Sequence, residues 1–311
     1  MTAMKEIRTA FCEALIEIAK ENEDLVVITP DLMGPLGLTP FAEALPGQFF
    51  NLGIAEQNAA GFAAGLALEG RIPWLVSFAT FAAGRAYEQI RVNAAYMNTN
   101  VKICGMAAGI TAGLTGPTHM AIEDLALMRA LPNMQILSPA DAHSVYGAVK
   151  LAVETPGPVY LRLGRPPEPV IYPERTELVL GGSNRLREGH DLALLATGLS
   201  LYPCLQAAEI LEERGISARV VDLYSIKPID GEEVIKAAQE TKGIITVEEH
   251  TVCGGLGSLV SEIVTAHHPC RVVSMGIQDT WVPAGDPGEL RSLVGLDAPR
   301  IAQEAERFLA T

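Results

Sequence analysis

Residues 49–78, FFNLGIAEQNAAGFAAGLALEGRIPWLVSF, contain the pattern that decides the fold. Apolar runs over Phe49–Gly53 and Trp74–Phe78 predict two short strands, and Glu56–Leu68 between them predicts a helix. Strands that are apolar on both faces and joined by a helical crossover are typical of a parallel sheet covered on both sides. This stretch therefore predicts an α/β fold.

The same alternation extends outward from this stretch in both directions. Further strands are predicted at Leu25–Thr29, Val101–Ala107, Gln135–Ser138 and Pro158–Leu163. Further helices are predicted at Gly84–Met97, Ile122–Leu131 and Asp141–Val153. We expect these elements to form one domain over residues 1–166.

Residues 167–189 break the alternation, because PPEPVIYPE, which begins at Pro166, and GGSNRLREG are rich in proline, glycine and charge. Such a segment predicts an interdomain linker. Beyond it, strands are predicted at Leu192–Thr197, Arg219–Leu223, Ile244–Glu248 and Arg271–Met275. Helices are predicted at Tyr202–Arg214, Glu232–Thr241, Leu256–His267, Pro287–Leu293 and Pro299–Leu309. Residues 190–311 are expected to form a second α/β domain.

Composition excludes several classes of protein. Apolar residues make up 49% of the chain and charged residues 19%, so the chain can bury large cores. A formal net charge of −14 argues against binding nucleic acid. The apolar runs are too short to cross a bilayer, and the N-terminus lacks the features of a signal peptide. The cysteines form no CxxC pair, which argues against a metal site. We expect a cytoplasmic protein.

Three residue groups are candidates for chemistry. Glu56 stands at a strand-to-helix junction, where a carboxylate is also favoured simply by the helix dipole. Phe78 and Phe81 could flank a planar ring, although most phenylalanines only pack in cores. His119 follows a glycine-rich loop and precedes a helix.

A second glycine-rich stretch, CGGLGS at Cys253–Ser258, precedes a helix and could hold an anion at the helix N-terminus. It lacks the full spacing of a dinucleotide-binding loop, so a tight structural turn is the favoured interpretation. The nearby pair Glu248 and Glu249 could act as an acid or base, but solvated carboxylates at a strand end are the simpler explanation.

The segments NLGIAEQNA, SFATFAAGRAYEQIR and GPTHMAIEDLALMRALPNMQILSPAD resemble the pyrimidine-binding domain of transketolases, in the order and spacing of that family. YLRLGR and VEEHTVCGGLGS continue the resemblance, and MGIQDTWVPAGDPGELRSLVGLD is similar to the C-terminal domain of deoxyxylulose-phosphate synthases. The resemblance covers nearly the whole chain. It implies two doubly wound domains, a thiamine diphosphate pyrimidine-binding domain and a transketolase C-terminal domain.

The resemblance implies roles for individual residues. Glu56 matches the glutamate that bonds N1′ of the cofactor's aminopyrimidine and so promotes loss of the thiazolium C2 proton. Phe78 and Phe81 match aromatic residues that pack on the pyrimidine, and Tyr87 is a third candidate.

Three further residues match positions on the substrate side. His119 matches a catalytic histidine that faces the substrate, and Arg165 matches an arginine that binds substrate phosphate. Asp31 is placed where relatives have polar groups that contact substrate. Arg162 is a weaker candidate, for which structural pairing at a strand end is the alternative.

One half of the expected site is absent from the sequence. Enzymes of this type bind the diphosphate through Mg²⁺ with a GDG segment, and none occurs here. The resemblance therefore implies a partner, an N-terminal subunit that carries the GDG domain and holds the diphosphate and Mg²⁺. It also implies an α₂β₂ assembly with the cofactor at the subunit interface.

The sequence departs from the transketolase pattern at substrate positions. Ala107 stands where a second histidine is usual, Thr115 replaces an acidic residue, and MGPLGL at Met33–Leu38 replaces a serine and threonine cluster. These changes predict altered recognition of ordinary ketose phosphates.

We therefore expect the C-terminal subunit of a split transketolase, which transfers a two-carbon ketol unit between sugar phosphates. Three alternatives remain open at this point. They are a deoxyxylulose-phosphate synthase-like enzyme, the beta subunit of a 2-oxoacid dehydrogenase, and a non-catalytic subunit that only stabilises a partner.

Overall fold

The computed structural model describes residues 3–310. Its strands are β1 Met4–Glu6, β2 Leu25–Thr29, β3 Phe49–Asn51, β4 Ile72–Phe78, β5 Lys102–Met106, β6 Gln135–Leu137, β7 Val159–Arg162, β8 Pro167–Pro169, β9 Asn184–Arg187, β10 Leu192–Ala196, β11 Ala218–Asp222, β12 Ser225–Lys227, β13 Ile244–Thr251 and β14 Val272–Ile277. Its helices are α1 Ile7–Ala19, α2 Thr39–Ala44, α3 Glu56–Leu68, α4 Tyr87–Gln89, α5 Asp124–Arg129, α6 Ala142–Glu154, α7 Leu201–Glu212, α8 Gly231–Glu240, α9 Leu256–His267, α10 Pro287–Leu293 and α11 Ala298–Leu309. Within residues 3–310, none of the helices is long and apolar enough to cross a membrane.

The first sheet has seven strands in the order β12-β6-β7-β5-β4-β2-β3. All neighbours are parallel except β12, which pairs antiparallel with β6. The predicted parallel sheet is thus confirmed. The chain runs outward from β2 to β3 and then returns to the other side of β2 for β4, so the winding direction reverses between β2 and β4. Ligand sites of such sheets lie at the carboxyl ends of the strands at this reversal.

Two apolar layers cover the first sheet. On one face α1 and α6 pack over the strands, and Phe11 of α1 meets Trp74 of β4 edge to face at 5.5 Å between ring centroids. On the other face α3 presents alanines, including the buried Ala59 and Ala63, which let the helix approach the strands closely. The carboxyl edge of the sheet, which both layers leave uncovered, is therefore held by a rigid support.

The helix expected over Gly84–Met97 has a different form. Phe81–Arg85 and Ile90–Tyr96 are π-helical, and α4 is a single α-helical turn between them. The amide of Ala86 bonds the carbonyl of Phe81, five residues back, at 3.1 Å. Since π-turns are rare and occur frequently at functional sites, this stretch marks the region between β4 and β5 as unusual.

The second sheet has the order β14-β13-β10-β11-β9, with only β9 antiparallel. Helices α7 and α11 pack on one face around Leu194, Leu211 and Ile301. Helices α8 and α9 pack on the other, where Val234 and Val260 join the core shared with the first domain. The predicted second α/β domain is therefore confirmed.

The segment expected to be a linker, residues 167–189, is folded onto both domains. Its strand β8 pairs with β1, and its strand β9 forms the edge of the second sheet. The carboxylate of Asp141, at the start of α6, accepts hydrogen bonds from the amides of Ile171 and Tyr172 at 2.7 and 2.9 Å. A reverse connection exists too, because β12, which follows β11 of the second sheet, pairs with β6 of the first.

Candidate active site

Glu56 is the first residue of α3 and is only 3% exposed. It lies beyond the carboxyl end of β3, after a turn in which Gly53 has a φ of 71°. The helix dipole favours a carboxylate at this position, but burial of the charge requires a partner. Arg85 is that partner, since its Nη1 donates a hydrogen bond of 2.7 Å to Oε1 of Glu56.

Phe78, Phe81 and His119 form a group of three rings. Phe78 ends β4, and Phe81 begins the first π-helical turn. The two phenyl centroids are 6.0 Å apart, and the imidazole of His119 is 5.8 Å from Phe78 and 5.2 Å from Phe81. All three pairs are edge to face, which is a favourable arrangement for aromatic rings. Residues that are distant in sequence thus share one apolar wall.

The loop that carries His119 is packed against the second domain. Gly109, Gly113 and Gly116 all have positive φ. A Cβ on Gly109 would lie 2.8 Å from the carbonyl oxygen of Glu249, so only glycine fits this approach. Within the loop, Thr118 Oγ1 is 2.9 Å from Nδ1 of His119. The second domain therefore helps to fix the imidazole against the two phenyl rings.

Arg165 and Asp31 lie at the same edge of the sheet. The guanidinium carbon of Arg165, which follows β7, is 5.9 Å from the centroid of the Phe78 ring. Asp31 follows β2, is exposed and has a φ of 60°. Its amide bonds Oδ1 of Asn51 at 3.0 Å, and the Asn51 amide group returns a bond of 3.4 Å to the Asp31 carboxylate. Arg165 thus touches the aromatic wall, whereas Asp31 is held on the neighbouring strand ends.

Tyr87 is not brought into this group. Its hydroxyl donates a hydrogen bond of 3.2 Å to the carbonyl oxygen of Leu127, and its ring packs against the core on the opposite face of the sheet from α1. The two positions that depart from the family pattern also differ from each other. Ala107 is fully buried with a φ of 59°, while Thr115 is exposed and bonds the carbonyl of Ala112 at 2.7 Å.

Arg162 has the structural role that its strand-end position suggested. It is buried, and its Nε donates to both oxygens of Asp124 at 2.9 and 3.1 Å. The Tyr160 hydroxyl donates to the same carboxylate at 2.8 Å, and Arg162 Nη2 donates to the carbonyl of Glu249 at 2.9 Å. Arg162 therefore joins the two domains.

The glycine-rich stretch before α9 does hold an anion, but the anion belongs to the chain. The buried carboxylate of Glu248 accepts hydrogen bonds from the amides of Leu256 and Gly257 at 2.7 and 2.8 Å. A Cβ on Gly255 would lie 2.1 Å from Oε2 of Glu248. Glu248 is thus a fixed cap of this helix and not a solvated acid, and the structural interpretation of the turn is the one that holds. Glu249 is buried as well, where it pairs with Arg291.

Sequence comparison identifies both domains. The family model of the transketolase pyrimidine binding domain matches residues 3–167, and that of the transketolase C-terminal domain matches residues 181–301. The chain belongs to the transketolase family.

Individual transketolase relatives match the chain along its whole length. One of the two subunits of an apulose-4-phosphate transketolase from Phocaeicola vulgatus is 43% identical over 303 residues, which are 97% of each protein. A putative transketolase C-terminal section from Methanocaldococcus jannaschii is 42% identical and covers 96% of this chain and 95% of its own length. A solved split-gene transketolase, described as an inactive beta4 tetramer, superposes with a TM-score of 0.90 at 43% identity and covers 99% of both chains. The chain is thus a transketolase-type C-terminal subunit.

One residue of this transketolase site was not singled out from the sequence. Arg85 pairs with Glu56 and also places its guanidinium carbon 4.1 Å from the centroid of the Phe81 ring. It stands within the segment SFATFAAGRAYEQIR, four residues after Phe81, where a regular helix would have suggested proximity to that ring. Its contact with Glu56, 29 positions away, has no signal in the sequence.

Proposed function

We propose that this chain is the C-terminal subunit of a thiamine diphosphate-dependent transketolase, which transfers a two-carbon ketol unit between sugar phosphates, and that Glu56 activates the cofactor. The observation that carries the proposal is the buried carboxylate of Glu56 near the wall of Phe78, Phe81 and His119. Relatives of the same length that are named as transketolase subunits support it. They favour transketolase chemistry over the other thiamine enzymes considered above.

The residues at the carboxyl edge fit an aminopyrimidine. Glu56 offers a hydrogen-bond acceptor in a dry environment, and the guanidinium of Arg85 already demonstrates that a planar N–H donor can bond this carboxylate while it contacts Phe81. Metal binding is a different matter, because no cluster of three or more acidic, histidine or cysteine side chains within residues 3–310 is arranged to hold an ion. We therefore assign no step of this chain to Mg²⁺.

Glu56 is proposed to hold a proton between its carboxyl group and N1′ of the ring. When bound, thiamine diphosphate supplies a carbon nucleophile that protein side chains do not provide. The helix start and the sheet edge fix the position of Glu56, and the apolar wall of Phe78 and Phe81 excludes water from it. We keep Tyr87 as a cofactor residue only in an indirect sense, since its hydroxyl bonds Leu127.

The substrate side is proposed to use His119, Arg165 and Asp31. His119 is held against the phenyl rings and can exchange a proton or a hydrogen bond with a sugar oxygen. Arg165 presents a guanidinium, which binds phosphate oxygens with two parallel hydrogen bonds. Asp31 is exposed and anchored by Asn51, so it is available to a sugar hydroxyl.

A partner subunit is part of the proposal. An N-terminal subunit with the GDG domain would hold the diphosphate and Mg²⁺, and the pair would assemble as α₂β₂. The similar split-gene structure is described as an inactive assembly of one subunit type, which is in keeping with a need for the other subunit.

The test is reconstitution with an N-terminal transketolase subunit from the same genome. The mixture, supplied with thiamine diphosphate and Mg²⁺, is assayed for ketol transfer with xylulose 5-phosphate and with apulose 4-phosphate, for which one relative is named. We expect activity that needs both subunits and that falls by about 10³-fold in Glu56→Gln, within the range of lost acid-base catalysis. Equal activity of this variant would refute the role of Glu56, and a complex that never binds the cofactor would refute the function.

A further inference from the structure

The ion pair between Glu56 and Arg85 is unequal. The carboxylate is 3% exposed, whereas the arginine side chain is 47% exposed and reaches inward from the surface. A buried carboxylate without a partner is strongly unfavourable, so the cation compensates a charge that would otherwise destabilise the chain. A half-exposed arginine can leave and be hydrated again at small cost. The pair is thus suited to being broken.

The backbone explains why Arg85 reaches this position. The π-helical turn from Phe81 to Arg85 is one residue wider than an α-helical turn, as the bond from the Ala86 amide to the carbonyl of Phe81 shows. The widened turn brings the guanidinium over the ring that precedes it, with 4.1 Å between the guanidinium carbon and the ring centroid. Phe81 and Glu56 therefore hold a flat, N–H-donating cation between them.

The same two groups are those that the proposed cofactor needs. An aminopyrimidine is also flat, packs on an aromatic ring and shares a proton with Glu56. The lone pair of Oε1 that accepts Nη1 of Arg85 at 2.7 Å cannot accept a second proton in the same direction. The guanidinium and the ring therefore compete for the carboxylate and for the face of Phe81.

We propose that Arg85 is a placeholder, which occupies the aminopyrimidine position in the cofactor-free chain and moves to solvent when the ring enters. The inference rests on the proposed function, because it assumes that the ring binds at Glu56. It explains how a subunit with half of a cofactor site can keep a buried carboxylate before assembly. It also makes Arg85 a determinant of cofactor affinity.

The first measurement uses the full chain alone, without cofactor. Arg85→Ala should lower the melting temperature by about 3 °C, and Glu56→Gln combined with Arg85→Ala should recover most of that loss, because a neutral amide needs no cation. The control is Arg91→Ala, which removes an exposed arginine from the same stretch. Additive losses in the double variant would show that the pair does not compensate the buried charge, and would overturn the proposal.

The second measurement is calorimetric titration of thiamine diphosphate, at saturating Mg²⁺, into the complex of the chain with its N-terminal partner. Arg85→Ala should bind about tenfold more tightly than wild type, because no ion pair has to be broken. Arg91→Ala should match wild type. Arg85→Lys, which keeps the charge but not the plane, should lie between them and serves if Arg85→Ala does not fold.

The outcomes separate the placeholder from the proposed function. Binding by wild type together with equal or weaker binding by Arg85→Ala overturns the placeholder and leaves the proposed function intact. Absence of binding by the wild-type complex overturns the proposed function, and the placeholder with it.

Discussion

The hydroxyl of Tyr172 donates a hydrogen bond of 2.7 Å to Oδ2 of Asp222, and the contact is buried where the two domains meet. Tyr172 belongs to the segment between β8 and β9, and Asp222 ends β11. Burial raises the pKa of Asp222 to about 7, although the bond from Tyr172 acts in the opposite direction. The negative charge of Asp141 raises this pKa further. The junction between the domains therefore contains a carboxyl group that titrates near neutral pH.

Asp222→Asn is expected to change how stability depends on pH. The pKa of Asp222 is about 7 in the folded chain against an ordinary value of 3.8. Its contribution to stability is therefore present below about pH 4 and is lost as the pH rises through about 7. Urea unfolding midpoints of Asp222→Asn should fall less than those of wild type between about pH 4 and pH 8. Asp279→Asn, an exposed control, should follow wild type.

Lys102→Met probes the opposite case. The ammonium of Lys102 is buried and donates to Asn100 Oδ1 and to the carbonyls of Thr155 and Gly157 at 2.8, 2.6 and 2.7 Å. Burial nevertheless lowers the pKa of Lys102 from 10.5 to about 7. Between these two pH values the unfolded chain binds more protons, so this group makes wild type more stable as the pH rises.

The expected result is a difference between two pH profiles. Stability of Lys102→Met relative to wild type should decline from about pH 7 to about pH 10, because the variant lacks the rising contribution. Exposed Lys20→Met is the matched control. Parallel profiles for Lys102→Met and wild type would mean that the lysine keeps its ordinary pKa in the folded chain.

Arg165→Ala tests phosphate recognition in the reconstituted enzyme. Loss of charge-assisted hydrogen bonds to a phosphate should lower kcat/KM for phosphorylated ketoses by about 10- to 100-fold. It should leave transfer from an unphosphorylated donor such as hydroxypyruvate unchanged. Arg91→Ala controls for the loss of one positive charge. An equal loss with both donors would point to a structural role for Arg165 beside Phe78.

Strong local patterns predicted much of the fold. The bounds of β2, α3 and α9 agree with the sequence prediction, because each is a continuous apolar or helical run with a clear end. The π-helical stretches could not be predicted, since a shift from i→i+4 to i→i+5 bonding leaves no compositional mark. The segment 167–189 looked like a linker because proline and glycine mark turns whether or not the turns are packed.

The candidate site was predictable to the extent that family motifs bring its parts together. Phe78, Phe81 and His119 were expected at one site, and the structure groups their rings. Tyr87 was expected with them, but the additional residue in the turn Phe81–Arg85 rotates the following residues, and Tyr87 turns toward Leu127. The pair of Arg85 with Glu56 depends on the fold alone. So do the positive φ angles of Asp31 and Ala107, which residues other than glycine adopt only where the surroundings impose them.

Strand β12 has a consequence for how the chain is made. The first sheet obtains its outermost strand from residues 225–227, after β10 and β11 of the second sheet have been synthesised. During translation the earlier part of the chain therefore emerges with an open edge at β6, and unpaired strand edges are templates for association with other chains. A fragment that stops at residue 189 would keep that edge permanently. The molecule is best regarded as one folding unit that closes late, and cutting it between its two sheets would yield no independent half.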